Sequence, residues 1–127
     1  MRWVYTLDFA KKMMRTKSLI AINSGRAVGI GVCTAFMDDP TVKSKFCTSP
    51  LPNGKSHDSH EITVSGYRCI ADKVEYEIIN SWGTNCKSNK NIECQKDEYD
   101  ETTGPFWVKE EALVDNSTDM TSISVKK

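Results

Sequence analysis

The period of the apolar positions changes along the chain. Phe9, Ala10, Met13 and Met14 recur at helical spacing, which gives a helix one face for a core. Asp8 stands where an N-cap is wanted and Gly25 where the helix should stop. The spacing predicts a helix from Phe9 to Asn23. Residues 26–33, RAVGIGVC, read as a buried strand whose glycines let something pack close. Residues 34–58 are polar and carry Pro40, Pro50, Pro52 and Gly54, so a long surface loop is expected.

From His60 the period becomes two. In HEITVSGYRC, residues 60–69, Ile62 and Val64 alternate with Glu61, Thr63 and Ser65. IADK makes a polar turn. In VEYEIIN, residues 74–80, the alternation puts Val74, Tyr76, Ile78 and Asn80 on one face. Residues 84–103 are charged and asparagine-rich and read as an insertion loop. FWVKEEAL returns to strand with a short helical turn, and TSISVK ends as a strand. One N-terminal helix followed by several antiparallel strands is an α+β pattern, with an open or barrel-like antiparallel sheet.

The two alternating strands should pair about a turn centred between Ile70 and Lys73. His60 lies about ten residues before that centre and Asn80 about ten after it. Pairing therefore brings them to one sheet end, within side-chain reach even after a slip of a residue or two. An amide beside a histidine accepts a hydrogen bond from one ring nitrogen, fixes the tautomer, and leaves the other nitrogen for proton transfer. Trp82, two residues on, can cover that bond and keep water out. His57 has no such companion and reads as a loop residue.

Composition narrows the picture. The 127 residues suffice for a single domain, 1–127, and 39% hydrophobic with 27% charged residues fits a folded chain. Lysine plus arginine equals aspartate plus glutamate at 17 each, which leaves no basic footprint for nucleic acid or an anionic membrane. No apolar run reaches the roughly 20 residues of a membrane span, and the charged start does not read as a signal peptide. Cys33, Cys47, Cys69, Cys86 and Cys94 are an odd number, so at least one thiol lacks a partner within the chain. Their density leans towards an oxidising compartment. Cys86 and Cys94 flank a short polar loop and are expected to form a disulfide. A zinc site from His57, His60, Cys86 and Cys94 is disfavoured, because seven residues separate the cysteines rather than two to four. The tripeptide at Asn116 has the form of a glycosylation acceptor, a pattern that arises often by chance.

SHEITVSGY…VEYEIINSWGTN…GPFWV resembles the C-terminal, right-hand domain of papain-like cysteine peptidases. The likeness rests on His60, Gly66-Tyr67, Asn80-Ser81-Trp82-Gly83 and Gly104-Pro105-Phe106-Trp107, in family order. The helix, turn and strand of residues 9–33 also match. The resemblance implies the right-hand half of that fold and a thiol-protease reaction on a peptide or protein substrate. In it His60 is general base and acid, Asn80 orients it and Trp82 shields their bond. It implies no cofactor and no metal, and a secreted, periplasmic or lysosome-like location. The departures are as informative. The family nucleophile sits in a Cys-Gly-Ser/Ala-Cys-Trp/Tyr motif roughly 130–150 residues before the histidine and asparagine. Only 59 residues precede His60, and none carries that motif. The oxyanion glutamine is missing with it. Glu61 also stands where the family usually has a small residue. The expectation is an incomplete peptidase domain partnered by an N-terminal papain-like half. The alternative is an inactive remnant acting as a protein-interaction or inhibitor-like module.

Overall fold

A computed structural model describes residues 7–38, 47, 51, 54, 58–79, 86–118 and 124–126. Helix α1, Leu7–Asn23, precedes strand β1, Ala27–Cys33, and the short helix α2, Ala35–Asp38. Strands β2, Ser59–Ile70, and β3, Lys73–Ile79, form a hairpin. Strands β4, Ile92–Lys96, and β5, Thr102–Lys109, follow; helix α3, Glu110–Asp115, and strand β6, Ser124–Lys126, complete the order. The six strands lie in one sheet in the order β4-β5-β3-β2-β1-β6, and every pairing is antiparallel. The α+β expectation holds. The sheet is open, with β4 and β6 outermost, and is not closed into a barrel among the described residues.

Helix α1 starts at Leu7, so Asp8 lies inside the first turn rather than at the cap. Met14, Ser18 and Ala21 are its buried stripe, spaced four and three. Phe9 was expected to face the core and is instead 48% exposed. It stands five residues before Met14, well round a 3.6-residue helix from that stripe. The helix ends where expected. Arg26 N–H reaches Ala21 O at 2.8 Å, Gly25 N–H reaches Ile22 O at 3.0 Å, and Gly25 takes φ 75°. This is the paired bonding of a Schellman stop, which needs the left-handed backbone that glycine adopts freely.

One face of the sheet and the helices share the core. Val28, Ile30 and Val32 from β1, Ile62 and Val64 from β2, and Tyr76 and Ile78 from β3 meet Phe106 and Val108 from β5. Met14, Phe36, Leu113 and Val114 cover them. Two polar segments are corrected by this packing. The stretch 34–58 opens with α2, whose Phe36 and Met37 are buried. The stretch 84–103 is not only a loop, because it contains β4, whose Ile92 and Cys94 turn into the core.

The other face is polar and cross-linked. The Arg68 guanidinium stacks 4.4 Å from the Trp107 ring centre. It donates to Glu75 Oε1 at 2.7 and 3.0 Å and also to Glu93. Ser65 Oγ and Gln95 Nε2 donate to the two oxygens of Glu77 at 2.8 and 2.6 Å. These bonds join β2, β3, β5 and β4 across the sheet.

Candidate functional site

The hairpin turn falls at Ala71 and Asp72, with Ile70 opposite Lys73. Pairing runs Tyr67 to Tyr76 and Gly66 to Glu77, then shifts by one residue between Val64 and Gly66. Ser65 is the extra residue of this bulge. A Cβ at Gly66 would lie 3.3 Å from Glu77 Oε1, so a glycine there leaves room for that carboxylate. Beyond the bulge, Ile79 faces Thr63. A direct pairing of His60 with Asn80 would have set Ile79 against Glu61, so the register differs by the two residues that the spacing tolerates. His60 lies three residues before Thr63, at the sheet end towards which β3 runs.

His60 pairs with Val32 across β1, and Ser59 pairs with Cys33. Strand alternation gives His60 the face of Ile62 and Val64, and it is half-buried. Asn80, Trp82 and His57 lie outside the described residues. The structure therefore sets the end of β3 opposite Thr63, three residues from His60, and the expected pair itself is not described.

A disulfide the sequence did not single out borders this end. Cys33 and Cys47 are joined with Cα atoms 6.0 Å apart. Cys33 N–H donates to Asn116 O at 2.8 Å, and both sulfurs lie against that same oxygen, at 3.1 and 3.2 Å. Asn116 Nδ2 donates to Ala112 O at 2.7 Å and Ser117 Oγ to Val114 O at 2.7 Å. Both residues are buried, so the glycosylation-like tripeptide is part of the packing. No sequence signal chooses Cys33–Cys47 among the pairings that five cysteines allow.

Cys86 and Cys94 form the expected disulfide, with Cα atoms 5.9 Å apart. It consumes both thiolates that a zinc site would need. Cys69 is the remaining thiol, exposed near the hairpin turn. It stands nine residues beyond His60 on β2, about 30 Å at a strand's rise. No thiol of this chain is therefore both free and near His60.

A second buried polar group was not anticipated. Glu110, at the start of α3, has a side chain only 5% exposed. It accepts from Arg15 Nε and Nη2 at 2.9 and 2.7 Å, and from Tyr76 Oη at 2.8 Å. Burial, followed by the bond to Glu110, pushes the Tyr76 hydroxyl well above its ordinary value, so it remains a donor. A Glu-Glu pair after a strand reads as solvated, and nothing in the local pattern marks the first as buried. Among the described residues no three acidic, histidine or cysteine side chains converge as a metal site, and no described helix is long and apolar enough to cross a membrane. A scan against protein-family models finds no match to the chain, and a search of curated proteins finds no similar one.

Proposed function

We propose that the chain is the β-rich, right-hand half of a papain-like cysteine peptidase. His60 is its proton-transfer group, Asn80 the residue that orients the imidazole, and Trp82 the cover over their bond. The observation that carries this reading is the β2–β3 register. It sets the end of β3, from which Asn80 follows directly, beside the end of β2 that bears His60. The helix–strand–hairpin order and the strand bearing Phe106-Trp107 support it further. In the reaction a thiolate attacks a peptide carbonyl, His60 hands the proton to the leaving amine, and water then cleaves the acyl-enzyme.

The thiolate has to come from elsewhere. Four cysteines are committed to disulfides and Cys69 sits at the far end of β2. We assign the nucleophile and the oxyanion donors to an N-terminal papain-like half. The disulfide pairing also favours the second reading, an inactive module that binds another protein through the same face.

The test uses a fluorogenic peptide and a thiol-directed epoxide inhibitor, with the chain alone and then with a candidate N-terminal half. The chain alone should show no turnover, since the loss of even one oxyanion donor costs on the order of 100-fold. Addition of the half should give turnover that His60→Ala and Asn80→Ala abolish. Binding of the half without turnover would favour the module. Turnover by the chain alone, lost on changing one of its own cysteines, would sink both readings.

A further inference from the structure

We propose that the segment 86–91, held by the Cys86–Cys94 disulfide, is a guard on the β4 edge, and that a thiol reductant releases it so that a second copy of the chain can pair there. Strand β4 is outermost, and an outer strand presents backbone N–H and C=O groups to any chain able to pair with them. Which groups are at risk follows from the ladder. Asn91 O accepts from Lys109 N–H of β5 at 3.1 Å, so Asn91 faces β5. Alternation then turns the backbone groups of Ile92 and Cys94 away from β5.

The segment before β4 folds back and covers the N–H and C=O of Ile92 and the N–H of Cys94. Cys94 N–H donates to Ser88 Oγ at 2.9 Å. Ile92 N–H donates to Asn89 O at 3.3 Å and to Asn89 Oδ1 at 3.2 Å, and Ile92 O accepts from Asn89 N–H at 2.9 Å. Asn89 Nδ2 donates to Met37 O at 3.0 Å, which anchors the guard to α2. The disulfide closes this turn covalently at Cys94, on the strand being guarded.

Reduction by two thiol equivalents, or by one dithiol, breaks the S–S bond. The reduced thiols supply both electrons and both protons, so the products are two cysteine thiols and the reductant's own disulfide. Among the described residues the hydrogen bonds of Ser88 and Asn89, in competition with water, and the packing of Cys86 on the core then hold the guard. The occupant is a second copy because the strand complements itself. An antiparallel copy centred on Cys94 sets Glu93 opposite Gln95 and Ile92 opposite Lys96, so no like charges meet.

The experiment is sedimentation together with amide hydrogen exchange on the full chain, all in a Cys69→Ser background so that no interchain disulfide contributes. Oxidised chain should be monomeric, with the Ile92 and Cys94 amides protected. Chain reduced by a dithiol, and oxidised Cys86→Ser/Cys94→Ser chain with Cys33–Cys47 intact, should dimerise with rising concentration while β2–β3 amides stay protected. Oxidised Ser88→Ala should speed exchange at Cys94 on the order of tenfold without dimerising. Any of three results would overturn the guard: a double variant monomeric at every concentration, association only once the β2–β3 amides lose protection, or an unchanged Cys94 amide in Ser88→Ala. Should the double variant fail to fold, the Ser88→Ala result decides.

Discussion

Ala71 and Asp72 occupy the two central positions of the β2–β3 turn with φ of 50° and 63°. That backbone matches the twist of the strands it joins, and it is one that asparagine and glycine adopt more readily than alanine. Ala71→Asn should raise stability by about 0.5–1 kcal/mol, read from the denaturation midpoint at unchanged slope. An unchanged or lower midpoint would mean the turn tolerates alanine at no cost. Glu110 works in the opposite direction. Glu110→Ala removes the acceptor of Arg15 Nε and Nη2 and leaves the Tyr76 hydroxyl buried with no acceptor from α3. A loss of about 2–4 kcal/mol is expected in denaturant, with Glu110→Gln recovering part of it by keeping an acceptor. The turn was legible from IADK, because polar residues interrupt two alternating runs. Glu110 was not, because its burial depends on Arg15, 95 positions away, and no local pattern carries that distance.

Elements were readable in proportion to how one-sided their burial is. Strands β2 and β3 bury one face, so Ile62, Val64, Tyr76 and Ile78 mark them in the sequence. Strand β4 contributes only Ile92 and Cys94 to the core, among Glu93, Gln95 and Lys96, and so it was lost in a charged stretch. The packing of α1 on α3 depends on charge as well. Lys11 Nζ donates to Glu111 Oε1 at 2.7 Å. That hydrogen bond, and the lysine's charge after it, hold the Glu111 carboxyl below its ordinary value. A lowered carboxylate stabilises the fold fully above its unfolded value of about 4.3 and loses that contribution as the pH falls through the folded value. Glu111 is 71% exposed, so solvent screening limits the effect to about 0.2–0.5 kcal/mol. Glu111→Gln should therefore cost that little at pH 7 and nothing at pH 2 in equilibrium unfolding. An equal cost at both would assign the effect to packing.

For the molecule as a whole, the helix-then-strands order was visible from period alone, and so was the end of the sheet to which His60 belongs. The order of strands across the sheet was not, because the pattern within a strand says which face is buried and not which strand lies alongside. The Cys33–Cys47 bridge is of the same kind. It joins a buried strand to a polar stretch 14 residues on, and only the folded neighbourhood of Asn116 brings them together.

The sheet order also has a kinetic consequence. The hairpins β2–β3 and β4–β5 each pair close neighbours in sequence, but β1 pairs with β6, Ala27 opposite Lys126. Helix α1 likewise reaches α3 through Arg15 and Lys11. A ribosome delivers the first of these partners long before the last. The nascent chain can form its hairpins early, while β1 keeps one edge open until residues 116–118 and then β6 emerge. Closing so distant a pairing is slow, so the β1–β6 pairing should be the last of the sheet to form. Until then the outer edge of β1, rather than that of β4, is the place where the chain is exposed to pairing with the wrong partner.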